Sequence, residues 1–159
     1  MSEAWRASAD EAADVTRLLI AFRNWLGEVL PNDISFAASV ARLAGDPAPQ
    51  FLLASEQAGA PPCGVCQLRF RHSIWTAAPD CWLEDLYVED AARGRGVGRA
   101  LVALAFERAT ARGAQRIELD TNEHNRGAIG LYESLGFSTS SKAHGELRGR
   151  DVFMGRRLP

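Results

Sequence analysis

Ala92 to Leu101 reads ARGRGVGRAL, with Gly94, Gly96 and Gly98 set among Arg93, Arg95 and Arg99. Glycine lets backbone N–H groups approach a ligand with no Cβ in the way. Arginine adds charge-assisted hydrogen bonds to an anion. Where a strand ends and a helix begins, such a run offers the partnerless first amides of the helix, aided by its dipole, to a phosphate. The run therefore suits a pyrophosphate; the alternative is a tight turn with solvated arginines. Two familiar phosphate loops are excluded. Gly98 is followed by Arg99 and Ala100, where a P-loop requires Lys and then Ser or Thr. The even spacing of the glycines is not the G-x-G-x-x-G of dinucleotide sites.

Two other stretches carry groups that can move protons. CWLEDLYV, Cys81 to Val88, is rich in strand formers but holds the adjacent carboxylates Glu84 and Asp85. On a regular strand these two face opposite ways. A carboxylate in a buried cleft has a raised pKa and accepts a proton directly or through water. NRGAIGLYESLGF, Asn125 to Phe137, contains Tyr132. A phenol, with an ordinary pKa of ~10, is a proton donor at neutral pH; packing against Ile129 and Leu135 is the structural alternative.

The elements that must position these groups follow from periodicity and punctuation. AWRAS predicts a short strand, and Ser8 and Asp10 offer caps to a helix over about 11–25, with Val15, Leu18, Leu19, Phe22 and Leu26 at helical spacing. Residues 35–43 predict a second helix, stopped by GDPAP. QFLLASE, CGVCQLRFRHSIW and CWLEDLYV predict three strands. The glycine run then opens a helix over 98–112, closed by Gly113 at a C′ position. AQRIELDT predicts a strand, 126–135 a helix, and FSTSSKAH and RDVFMGRRL two closing strands. The expected order is β-α-α-β-β-β-α-β-α-β-β, with no repeat and no linker to divide it.

Arg93-x-x-Gly96-x-Gly98, following LEDLYV and opening an amphipathic helix, resembles the acetyl-CoA signature of the GNAT superfamily of N-acetyltransferases. NRGAIGLYESLGF, about thirty residues on, resembles that family's second signature. The resemblance implies an α+β, α/β/α-layered fold: a central mixed, mostly antiparallel sheet of about six to seven strands flanked by about four helices, in one domain over 1–159. It implies acetyl-CoA as co-substrate, with its pyrophosphate cradled by Arg93, Gly94, Arg95, Gly96, Val97, Gly98 and Arg99. The pantetheine arm would lie in a gap between the strand of Leu86, Tyr87 and Val88 and that of Ile117 to Asp120, pairing like an added strand. An N–H near Leu86 to Val88 would face the thioester oxygen. Asn125 and Ala128 match further cofactor-contact positions. Tyr132 matches the general acid that faces the sulfur.

WLEDLYV followed by RGRGVG looks most like the spermidine/spermine and thialysine acetyltransferase branch. That likeness puts a catalytic glutamate at Glu84; the alternative is that Glu84 only attracts the amine or pairs with an arginine. Arg93 departs from the Gln common at the first signature position. The implied reaction is direct transfer of acetyl from acetyl-CoA to a primary amine of a small molecule, polyamine-like or amino-acid-like, within a ternary complex. Rival readings are a silent acyl-CoA-binding module of the same fold, an acetyltransferase of protein N-termini or lysines, and an Arg-rich RNA-binding domain. A homodimer is a family-level expectation.

Composition narrows the field. The 159 residues are 47% hydrophobic and 24% charged, as in an ordinary globular domain, and the net charge is −2. Neither nucleic acid nor an anionic membrane is favoured as partner. The acidic N-terminus lacks the apolar core of a signal peptide and no apolar run reaches the ~20 residues of a membrane span, so a cytoplasmic location is expected. Cys63, Cys66 and Cys81 are too few for a disulfide framework, and the lone Cys63-x-x-Cys66 is read as small packing residues. No metal is expected, since His72, His124 and His144 lack ligand spacing. The resemblance further implies that the acceptor meets the early helices, the Trp25 to Phe36 segment and the loop from His72 to Asp80.

Overall fold

The structure, a computed structural model, describes residues 1–47, 50–139 and 154–158. Contacts divide the chain into two compact units, Met1–Asp120 and Thr121–Pro159. In the first, β1 (Glu3–Arg6) leads to α1 (Ala12–Trp25) and α2 (Asp33–Ala44), then to β2 (Gln50–Ser55), β3 (Gly64–Ser73) and β4 (Ala78–Val88). α3 (Val97–Ala111) and β5 (Arg116–Glu118) complete it. The second unit holds α4 (Arg126–Ser134). Local chemistry sets the helix starts. The Ser8 N–H donates to Glu11 Oε2 at 2.8 Å before α1, and the Ser35 N–H donates to Asn32 Oδ1 at 2.9 Å at the start of α2.

The five strands form one sheet in sequence order, β1-β2-β3-β4-β5. The first three pairings are antiparallel and β4–β5 is parallel. Parallel neighbours need a crossover, and α3 supplies it. On one face, Val15, Leu18 and Leu19 of α1 and Val40 of α2 pack against Phe51, Leu53, Val65 and Tyr87 of the sheet. Strand alternation turns Leu52 and Ala54 to the other face, against α3. There Gly64, opposite Ala54, permits a close approach: a Cβ on it would stand 2.7 Å from Val97 Cγ1 and 3.2 Å from Leu101 Cδ1. The first turn of α3, which follows the glycine run, is thereby seated against the sheet. Val97, Leu101, Val102, Ala105 and Ala109 are its buried positions, the Val and Leu side chains stabilising by about 1.5–3 kcal/mol each.

The α+β class, the mixed and mostly antiparallel sheet and the order of the first nine elements are as the sequence predicts. Three details differ. The described residues hold five strands rather than six to seven. The two expected closing strands lie mostly outside the described residues, and the described parts, 137–139 and 154–158, carry no strand. α3 begins at Val97 rather than Gly98, because Gly96 takes the N-cap position. No described helix is long and apolar enough to cross a membrane.

Candidate active site

β4 carries the first group of site residues, and it is not a regular strand. Opposite β3, Val65 pairs with Tyr87 and Gln67 with Glu84, so β4 spends one more residue than β3 over this stretch. Asp85 sits within that bulge with φ of +52°. The left-handed region is uncommon for a residue with a Cβ, though Asp is among those that enter it most readily. The expectation that Glu84 and Asp85 simply alternate across a regular strand is corrected here. The bulge resets the alternation, so that Glu84 and Tyr87, three apart, share the α1 face with Val65 and Gln67.

Glu84 is partly buried and its Oε2 accepts from Arg69 Nη2 at 3.0 Å. Arg69 itself is well exposed, so solvent weakens the pair. Burial pushes the Glu84 carboxyl above its ordinary pKa; Arg69 pulls it back, and the charges of Asp85 and Asp120 push it up again. Desolvation also raises Asp85, against the pull of Arg69 and with a further push from Asp120. The outcome is a patch of three carboxylates and one arginine in which Glu84 holds a proton more readily than a free glutamate does.

The same strand then parts from its neighbour. β5 pairs with β4 only at Asp80, Cys81 and Trp82 and ends at Glu118, while β4 continues to Val88. Among the described residues, the edge of β4 from Leu83 to Val88 has no strand on that side. Leu86, Tyr87 and Val88 therefore lie along an open sheet edge, the kind of edge to which an extended ligand can add.

Past Val88, a short 3-10 turn (Asp90–Ala92) delivers the chain to the glycine run. Gly94 and Gly96 have φ of +73° and +89°, angles that suit glycine. Gly96 caps α3 without any side-chain cap bond. Among the described residues no backbone hydrogen bond is donated by the amides of Gly94 to Gly98, whereas Ala100, further along the turn, donates to Gly96 O at 2.9 Å. The arginines are differently placed. Arg93 is turned onto its own chain: Nη2 meets Asp90 Oδ1 at 2.6 Å, Nε donates to Val88 O at 3.1 Å, and its guanidinium lies 5.0 Å from the Trp25 ring and 5.9 Å from that of Tyr87. Arg95 pairs with Glu56 at 2.8 Å, and Ser2 Oγ donates to its carbonyl. Arg99 is exposed on the first turn of α3.

In the second unit, Asn125 Oδ1 accepts from the Ala128 N–H at 3.3 Å, which makes the pair the N-cap of α4. Tyr132 is buried on this helix, with its ring edge-on to Phe137 at 5.6 Å. Phe137 also donates its N–H to Tyr132 O at 3.0 Å. Thus the structure groups Glu84, Leu86 to Val88 and Arg93 to Arg99 along one continuous path of the first unit, and Asn125, Ala128 and Tyr132 on one helix of the second.

Sequence reasoning missed the bulge, the Arg69–Glu84 pair, Asp120 and Gln67. Only the alternation of Gln67, Arg69 and Arg71 in β3 signalled a polar half-face, and their partners depend on long-range register. His72 and His124 are exposed, and His144 lies outside the described residues. Cys66 and Cys81 are buried and Cys63 partly so; burial pushes the Cys81 thiol up to about 12.

The sequence model of the acetyltransferase (GNAT) family matches residues 13–137. A thialysine N-epsilon-acetyltransferase of Sus scrofa is 33% identical over 76 residues, 48% of this chain and 44% of that protein. An uncharacterised N-acetyltransferase of Methanocaldococcus jannaschii is 39% identical over 66 residues, 42% of this chain and 29% of that protein. The match therefore spans less than half the length of these relatives. Among solved structures, one from Arthrobacter sp. FB24, assigned to the acetyltransferases, superposes with a TM-score of 0.83 at 28% identity, covering 98% of this chain and 95% of that one. AAC(6')-Iy, solved with a bisubstrate analogue of CoA, shares the fold at a TM-score of 0.75 and 20% identity, with 99% of each chain covered. With its signatures, its sheet and the family match in agreement, the chain belongs to the GNAT family of acetyltransferases.

Proposed function

We propose that the protein is an acetyl-CoA-dependent N-acetyltransferase that acts, as one catalytic domain, on a primary amine of a small molecule. The observation that carries this reading is the run of uncapped amides at Gly94 to Gly98, set at the N-terminus of α3 and reached directly from the open edge of β4. These residues fit a diphosphate-bearing acyl donor. The amides and the helix dipole supply donors, and the glycines leave no Cβ between backbone and anion. Arg95 and Arg99 add positive charge at the rim. The backbone of Leu86 to Val88 offers an edge for the pantetheine arm and an N–H for the carbonyl oxygen as it gains charge. Asn125 and Ala128 would act at the start of α4. When bound, acetyl-CoA supplies an activated thioester.

The chain's own residues handle the protons. An ammonium has no lone pair, so the amine must lose a proton before it can attack. Glu84 is assigned that proton, directly or through water, because its raised pKa makes it a better acceptor than an ordinary glutamate. Asp85 and Asp120 add negative charge that draws the cationic amine in. Tyr132 holds a phenolic proton suited to a departing thiolate.

Incubating the protein with acetyl-CoA and a panel of primary amines, with release of free thiol as readout, tests the proposal. Tyr132→Phe is expected to lower kcat by about 100-fold with the Kd for acetyl-CoA nearly unchanged. Unchanged turnover would reject Tyr132 as the acid, and failure of the wild-type protein to bind acetyl-CoA would reject the function.

A further inference from the structure

Gln67 stands next to Glu84 in the sheet. The two are direct cross-strand partners, and such partners point to the same face with Cβ atoms about 4.5–5.5 Å apart. That face is fixed independently at both ends. Val65, two residues before Gln67, packs into the cluster with α1. Arg69, two residues after it, reaches the Glu84 carboxylate. Gln67 is only 4% exposed, yet its Nε2 has no hydrogen-bond partner. A buried amide left in that state costs about 1–3 kcal/mol, and native proteins rarely leave one so. Gln50 also has an unpartnered Nε2, but its Oε1 accepts from Arg108 and it lies on β2, in a pocket it lines with Arg6 and Asp46 rather than beside Glu84. Only Gln67 adjoins the carboxylate assigned to the acceptor amine.

We infer that Gln67 is an acceptor-binding residue: its side-chain amide donates to a neutral oxygen close to the reacting amine, so the substrates are amines with a neighbouring hydroxyl or amide oxygen rather than bare alkyl polyamines. This rests on the acetyltransferase reading above. The surroundings select the class. Glu84, Asp85 and Asp120 attract a cation and repel a carboxylate, so the oxygen that suits Gln67 is uncharged. The cross-strand spacing places an ammonium at Glu84 and an oxygen at Gln67 within reach of substituents on adjacent carbons. A hydroxyl, as in an amino sugar, and an amide carbonyl, as in an amino-acid amide, offer the same acceptor chemistry.

The test compares near-isosteric amines: n-propylamine without the oxygen, ethanolamine with a hydroxyl, glycinamide with an amide, and 1,4-diaminobutane as a bare polyamine. For the wild-type protein, kcat/KM for ethanolamine or glycinamide is expected to exceed that for n-propylamine by about tenfold, as one hydrogen bond allows. The better of the two identifies the source of the oxygen. Gln67→Leu should erase the advantage, bringing the ratio of kcat/KM for ethanolamine or glycinamide over that for n-propylamine to about one, with acetyl-CoA affinity unchanged. Its melting temperature should hold or rise, since an unpartnered amide is replaced by apolar volume; Gln67→Met serves if the Leu variant does not fold. Several results overturn the inference: equal or better use of n-propylamine or 1,4-diaminobutane, an oxygen preference that survives in both variants, or an equal fall for all amines. The last would mean that the amide accepts from the ammonium itself. Acetyl-CoA bound but transferred to none of these amines also overturns it, whereas loss of acetyl-CoA binding rejects the enzymatic function instead.

Discussion

On the proposed function, the glycine turn and the Gln67–Glu84 patch would recognise their ligands by different means. From Gly94 to Gly98 the groups on offer are backbone amides, and side chains matter chiefly by their absence. At Gln67, Arg69, Glu84 and Asp85 the groups on offer are side chains, brought together by strand register and one bulge. The first can serve a single donor across many relatives. The second can change its acceptor with one substitution and no change of fold. The comparison therefore separates recognition by backbone from recognition by side chain.

Three substitutions would break or sharpen that comparison. Glu84→Gln should have the largest effect, lowering kcat/KM for the amine by about 100-fold while calorimetry finds acetyl-CoA affinity unchanged. A comparable loss of cofactor binding would mean that the two regions are not separable. Gly96→Val should act in the opposite sense. There is room for a Cβ, whose nearest neighbour would be Ser2 Oγ at 3.4 Å, but the φ of +89° is unfavourable for a residue that carries one. A cost of about 1–2 kcal/mol should raise the Kd for acetyl-CoA about tenfold, with kcat recovered at saturation. Arg69→Met should have the smallest effect. Arg69 holds the raised Glu84 pKa down, so removing its charge lets that pKa rise further. A base must be ionised, so the acidic limb of kcat/KM should move to higher pH with little change on the plateau. A limb that stays in place, measured across pH with n-propylamine, would remove Glu84 as the group reported.

The sequence made the first of these regions legible and the second largely not. Glycines at two left-handed positions and a helix start are local requirements, so they appear in the residue types themselves. The same holds for most elements: hydrophobic spacing located α1, and the glycine run with Gly113 bracketed α3 to within a residue. Glu84 stood out as a carboxylate in an apolar strand. Its neighbours did not, because Gln67 and Arg69 reach it through pairing across a long hairpin. The Asp85 bulge was not read either: two polar residues followed by two apolar ones in Glu-Asp-Leu-Tyr break the alternation, but only the register between β3 and β4 shows which residue is out of step. β5 was expected to run on past Glu118, and its early end is what opens the edge of β4.

Arg93 carries a consequence for mutagenesis. Its guanidinium is held by the Asp90 carboxylate and the Val88 carbonyl and is stacked near the rings of Trp25 and Tyr87. Truncating it would loosen the exit of β4, the end of α1 and the approach to α3 at once. A weakened Arg93 variant is therefore a pleiotropic lesion, and its phenotype alone says nothing about whether that cation ever touched a phosphate.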